Sequence, residues 1–244
     1  MAIVFDTAAT PANGLSDTVS IPRGGTVDDL IVLVIAIDSI SSAGPWVVPN
    51  TGSLPSSYIG PSTGWKRCAV QGPSASGTGF EVWAAISATV VGTSFAQLTT
   101  TFGWNSIQAL YKNVYAPSNS INDGAVRAAT SAQVTGDDPS APSVYAYVDE
   151  VVVVCMAETL TGSPSAPTGY TLRTSHARTA QAAIADATVS IEGNTGPIPF
   201  VGSASPSGSK GVTATLAIRE TAPSSSSPLI VVEYAADPNP PQTL

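Results

Sequence analysis

Residues 30–37 read LIVLVIAI, Leu30 to Ile37, and residues 151–156 answer with VVVVCM, Val151 to Met156. Both runs are unbroken, aliphatic and rich in β-branched side chains, and acidic residues introduce each one, Asp28-Asp29 and Asp149-Glu150. Neither is long enough to cross a bilayer as a helix, which takes about 20 residues. Neither alternates apolar with polar as a strand with one wet face does, so each reads as a central strand covered on both sides. The rest of the chain is expected to be sheet packed around these two strands.

The composition agrees. Of 244 residues, 11% are charged and 43% apolar, with 21 Gly and 20 Pro, which is not the balance of a disordered chain. The helix formers Glu, Lys, Gln and Arg are scarce beside Val, Thr and Gly. Short strands joined by Gly/Pro/Ser turns follow, and the expected fold class is all-β: an antiparallel β-sandwich of jelly-roll type. Net charge is −8, from nine basic and 17 acidic side chains with no basic cluster. Displacing counterions from nucleic-acid phosphates needs such a cluster, and an acidic surface is repelled by anionic membranes. The acidity serves solubility.

Along the chain, Ala2–Phe5, Thr18–Ile21, Trp65–Val70 and Phe80–Ile86 read as strands. Phe80–Ile86 alternates as if its two faces differed, and Gln97–Phe102 with Ser106–Val114 looks like a pair turning at Gly103-Trp104. The Ala-rich stretch Thr179–Ala187 reads as strand rather than helix. The second half echoes the first: VDDLIVLVIA at 27–36 with VDEVVVVCMA at 148–157, PSTGWKR at 61–67 with APTGYTLR at 166–173, and ALYKNV at 109–114 with ATLAIR at 214–219. Two pseudo-symmetric halves, about 15–116 and 143–220, would account for this, as would the ordinary reuse of strand and turn chemistry in sandwiches. The two would meet near Pro117 to Pro142. A sandwich over residues 1–222 is followed by a linker, PSSSSP, and an apolar segment, LIVVEY, within 223–244. Leu229, Ile230, Val231, Val232 and Tyr234 form a candidate intersubunit arm, which either folds back on its own sheet edge or adds a strand to a neighbour.

Chemistry is harder to find. The one histidine, His176, lies in TSHART and reads as a surface loop residue; no nucleophile elbow, Walker A, GxGxxG, CxxC or HExxH accompanies it. The acidic pairs Asp28-Asp29 and Asp149-Glu150 suit turn or edge capping, and Asp137-Asp138 lacks EF-hand spacing. Trp65, Trp83 and Tyr170 read as packing residues. Trp46 and Tyr58, on the long 39–64 connection, are the candidate ligand-loop aromatics for stacking on a glycan. Cys155 reads as a small core residue, and nothing marks a disulfide framework that would pair it with Cys68. No catalytic, metal or cofactor set emerges. MAIVFDTAATP lacks a charged n-region, so synthesis in a cytoplasm without general export is expected.

These pieces together resemble the Ala/Thr/Gly-rich β-sandwich proteins of bacteriophage virions, of minor tail or accessory capsid type. The likeness is carried by Asp29-Leu30-Ile31-Val32, Pro61 to Trp65, Val82-Trp83-Ala84-Ala85, Leu110 to Val114 and Pro167-Thr168-Gly169-Tyr170. It implies a non-enzymatic virion component made in the host bacterial cytoplasm, homo-oligomeric, touching other virion proteins and needing no cofactor. The competing expectation is a receptor- or carbohydrate-binding module displayed on the particle.

Overall fold

A computed structural model describes residues 2–8, 12–14, 19–20, 29–37, 47–50, 64–71, 78–86, 94–97, 104–118, 120–133, 140–158, 164–177, 181–200 and 211–220. The first half forms β1 (Val4–Ala8), β2 (Ala12–Gly14), β3 (Val19–Ser20), β4 (Leu30–Ile37), β5 (Val47–Asn50), β6 (Trp65–Gln71), β7 (Gly79–Ile86), β8 (Ser94–Gln97) and β9 (Trp104–Lys112). A 3-10 turn at Ile121–Asp123 leads into β10 (Val126–Gln133), β11 (Ser140–Ala141), β12 (Tyr145–Ala146) and β13 (Val151–Glu158). Then come β14 (Thr171–Ala177), β15 (Gln181–Thr188), β16 (Gly193–Asn194), β17 (Ile198–Pro199) and β18 (Gly211–Ile218).

Two antiparallel sheets pack face to face, so the chain is an all-β sandwich. Sheet I runs β1-β9-β4-β7-β6 and sheet II runs β10-β18-β13-β15-β14. Each sheet is drawn from one contiguous half of the chain. In a jelly roll the strands alternate between sheets, so the sandwich holds while the jelly-roll connectivity is corrected. In both sheets the central run lies third in order, buried on both faces as its lack of alternation implied.

Period 2 divides each central strand between two cores. Leu30, Val32, Val34 and Ala36 meet Val151, Val153, Cys155 and Ala157 between the sheets. On the far side of sheet II, Val152, Val154 and Met156 pack with Ala141, Val144, Ala146, Ile198 and Phe200. Those last residues lie on the β10–β13 and β15–β18 connections, which pair as β11-β17 and β12-β16. Thr213 and Thr215 hydroxyls fasten this cover by donating to the Ser140 and Pro142 carbonyls at 3.0 and 2.6 Å. Burying Phe200 there contributes about 2–3 kcal/mol. On the far side of sheet I, Ile31, Leu33, Ile35 and Ile37 are equally buried.

Several sequence expectations change. Of the expected pair Gln97–Phe102 and Ser106–Val114, residues 98–103 lie outside the described residues; the second member is β9, and Gln97 ends β8 in a small sheet, β3-β8-β5. Phe80–Ile86 is buried on both faces despite its alternation, because Glu81 on the far face accepts a hydrogen bond from the Trp83 indole (2.8 Å) and faces Arg67 (3.9 Å). The polar stretch 117–142 holds an edge strand, β10, and sheet I starts at Val4 and not near residue 15. The closing strands align Ala109 with Leu216, opposite Val32 and Val153, and not with Ala214. His176 lies in strand β14, half-buried, where a surface loop was expected. Of the stretch Thr179–Ala187, residues 181–187 lie in strand β15, as expected, and 179–180 lie outside the described residues.

Candidate functional site

The exposed large apolar side chains among the described residues are Val4, Tyr145, Tyr147, Val148 and Ile191. All but Val4 lie where the β10–β13 connection meets the β15–β18 connection. Strands β12 and β16 bring these segments together, with Tyr145 opposite Asn194 and Ala146 opposite Gly193. Further on, the Asp149 amide donates to the Val189 carbonyl (3.0 Å), and the Val189 amide donates to the Glu150 carbonyl (2.8 Å). Ala146 is buried, so strand alternation turns Tyr145 and Tyr147 outward together. Residues 147–150 then make a turn closed by the Glu150 amide on the Tyr147 carbonyl (3.2 Å), with Asp149 at φ +70°. Aspartate tolerates that left-handed conformation, which explains an acidic residue here without invoking catalysis.

Arg127 mounts the patch. It is the extra residue of a bulge in β10, where the register with β18 shifts between Val126 and Ala128. Its guanidinium grips Glu150 bidentately, Nε to Oε1 at 2.6 Å and Nη2 to Oε2 at 2.8 Å, and also donates to the Tyr145 carbonyl. Glu150 Oε2 accepts the Tyr147 amide as well, at 2.9 Å. The same guanidinium lies 4.6 Å from the centre of the Tyr147 ring, a cation–π distance. Tyr145 meets Tyr147 edge to face, centroids 5.3 Å apart, and donates its hydroxyl to Glu192 at 2.6 Å. That bond to a carboxylate holds the Tyr145 phenol above its ordinary value of 10.0. Two tyrosine rings are thus fixed in place and half open to solvent. Ordering costs at a contact fall when side chains are already held, and Tyr and Arg are enriched at the centres of protein interfaces. What the arrangement offers is contact.

Sequence reasoning passed this patch over. The signal was Val144 to Val148, VYAYV, where a small residue separates two tyrosines beside the acidic pair; the pair drew the attention instead. Trp46, Tyr58, Asp137-Asp138 and the arm residues Leu229, Ile230, Val231, Val232 and Tyr234 lie outside the described residues. Trp65 and Trp83 are buried and Tyr170 is half-buried. Cys68 and Cys155 are free thiols, and burial pushes Cys68 up to about 12 and Cys155 higher still. Among the described residues no three His, Cys, Asp or Glu side chains gather to hold a metal ion. No helix among them is long and apolar enough to cross a membrane. Compared with protein-family models, curated proteins and solved structures, the chain matches none.

Proposed function

We propose that the protein is a non-enzymatic structural component of a bacteriophage virion, a minor tail or capsid accessory protein, that docks on a neighbouring virion protein through Tyr145 and Tyr147. The observation carrying the docking role is the patch itself: paired tyrosines, Val148 and Ile191 exposed on a mount of ion pairs and backbone hydrogen bonds. The virion assignment rests on the sequence resemblance, and the 229–234 arm supplies a second tie to the assembly. Purified particles are expected to carry the chain at fixed copy number. A Tyr145→Ala/Tyr147→Ala double variant is expected to fold, melting no more than about 5 °C below the native protein, and to be lost from particles. Particles without the chain would overturn the virion reading, and full incorporation of the double variant would overturn docking through the patch.

A second reading has its own support. Tyrosine faces beside the carboxylates of Glu192 and exposed Asp149 also suit stacking on a sugar, as a receptor- or carbohydrate-binding module requires. Binding to a glycan panel that disappears on Tyr147→Ala, with incorporation into particles unchanged, decides for that reading.

A further inference from the structure

Number the main strands within each sheet by their order along the chain, and both sheets read 1-5-2-4-3. The agreement extends to single residues. Leu30 lies opposite Ile86 and Tyr111, and Val151 opposite Thr188 and Ile218. Those pairings make Leu30 equivalent to Val151, Tyr111 to Ile218 and Ile86 to Thr188. Each sheet has bulges in its two outer strands, and they fall at equivalent positions. In the first strands the skipped residues are Asp6 and Arg127; in the third strands they are Cys68 and Arg173. The turns entering the third strands each hold a glycine at positive φ, Gly64 at +87° and Gly169 at +84°. The same number of residues separates Phe5 from Leu30 and its equivalent Val126 from Val151. In both halves the connection before the second strand pairs with the connection before the fifth, as β3-β8 and as β11-β17 with β12-β16.

The packing between sheets obeys an exchange rule except at the edges, where β10 packs on β6 more closely than β1 packs on β14. β6 packs on β18 as β14 packs on β9; β7 packs on β18 and β13 as β15 packs on β9 and β4; β4 meets β13, its own equivalent. At the edges, Arg173 of the third strand in sheet II covers Phe5 of the first strand in sheet I at 4.6 Å. Reciprocally, Ser131 of β10 donates to Gln71 of β6 at 3.3 Å. The tails of β9 and β18 bridge antiparallel at Val114 and Glu220. A two-fold axis running between β4 and β13 generates the exchanged relations.

We infer that the chain is a tandem duplication, and that the sandwich core is a self-complementary interface between two copies of one five-stranded unit. The partner that each inner face fits is a second copy of the same sheet. General reuse of turns in sandwiches explains a shared glycine. It does not explain bulges at matched residues of both outer strands together with a shared strand order.

The duplication makes a demand on the chain ends. The axis requires that the span from the end of β18 to the start of β1 equal the span from the end of β9 to the start of β10. A reordered chain tests this with every residue after Met1 retained: 123–220, then 114–122, then 2–113, then 221–244, behind a new initiator methionine. It exchanges the units and reuses the native connection at the equivalent junction. The expected result is a protein with the native mass in solution, a native circular-dichroism spectrum and a melting midpoint within about 5 °C of the natural chain. A second variant replaces 114–122 with roughly 30 Gly/Ser residues, enough to reach across the domain. If only that one folds, the two spans are unequal and the two-fold relation is wrong. If neither folds, the halves are not interchangeable units and the duplication is overturned.

Discussion

Replacing Arg127 with methionine keeps an unbranched stem against its neighbours and deletes the charge that mounts the tyrosine patch. The structure bounds the cost from two sides. Removing one partner of a fully buried ion pair costs about 3–5 kcal/mol, because the other charge is stranded. An exposed pair is worth about 0–1 kcal/mol. The Glu150 side chain is only 5% exposed but that of Arg127 is 28% exposed, so the pair lies between these limits. Glu150 also keeps one donor, the Tyr147 amide at 2.9 Å. About 2 kcal/mol is expected from the lost pair, and roughly another 0.5 kcal/mol from the contact with the Tyr147 ring. For a chain of this size 1 kcal/mol moves the midpoint by about 2–4 °C, so Arg127→Met is expected to melt about 5–10 °C lower.

A double-mutant cycle isolates the pair. Glu150→Gln is destabilising alone, because a neutral amide then faces a guanidinium. Arg127→Met/Glu150→Gln is expected to be more stable than the sum of the two losses by about 1–2 kcal/mol, since no charge is left stranded. Urea unfolding of the four proteins, with equal m-values, supplies the numbers. Additivity within about 0.5 kcal/mol would mean that the pair does not couple, and the argument that it holds the patch would fail.

Other consequences are as direct. Gly169, at φ +84° with open space where a Cβ would stand, is expected to lose about 1–2 kcal/mol as Gly169→Ala and less as Gly169→Asn; equal losses would show that backbone strain is not the cause. A thiol dye at pH 8 is expected to leave buried Cys155 unlabelled in the native protein, to label half-buried Cys68 slowly and to label both in denaturant; rapid native labelling of Cys155 would contradict its burial. Because the Cys68 thiol ionises at 9.0 ordinarily but near about 12 when folded, the unfolded chain releases a proton that the native chain keeps. This contribution to stability is full below pH 9 and declines as pH rises from 9 toward 12, which urea midpoints across that range check. A chain ending at Thr221 is expected to melt as the full chain does and to form smaller assemblies in light scattering; a lowered melting midpoint would place the arm in its own domain.

The features legible in the sequence were those written in single side chains. LIVLVIAI and VVVVCM announce double burial because no position in either accommodates water, and both proved central. The Gly-aromatic pairs Gly64-Trp65 and Gly169-Tyr170 mark turns because only glycine takes the required φ cheaply. Pairing partners were less legible. β8 pairs with β3 and β5, far away in sequence, and nothing in Ser94–Gln97 encodes that choice. β10 was hidden because VRAATSAQ is an edge strand, half-wet and bulged, without the aliphatic run that betrays a centre. The tyrosine patch was illegible for a related reason. Tyr145 and Tyr147 become a surface only when Arg127, on a different strand, stacks beneath them.

The bulges bear on how such a protein can assemble. An added strand needs an unbroken row of backbone donors and acceptors, and a bulge interrupts that row. In the described pairings the outer strands β1, β6, β10 and β14 each carry one, at Asp6, Cys68, Arg127 and Arg173, while the three-residue β2, which also pairs with β9, is regular. Three of those side chains are engaged at the bulge itself: Asp6 with Lys112 at 3.0 Å, Arg127 with Glu150 at 2.6 Å, and Arg173 with Asp186 at 2.8 Å. Pairing a foreign strand there means breaking an ion pair as well as straightening the chain. Edge-to-edge growth of the sandwich is therefore disfavoured on all four sides, a property that duplication would have handed to both halves at once. Contact is left to surfaces other than backbone ladders, and the connections carrying Tyr145, Tyr147 and Ile191 cover sheet II beside its outer strand β10, whose Arg127 stacks on Tyr147. By the same reasoning, if LIVVEY pairs as a strand, a regular strand of another protein would offer it a better ladder than the bulged edges β1, β6, β10 and β14.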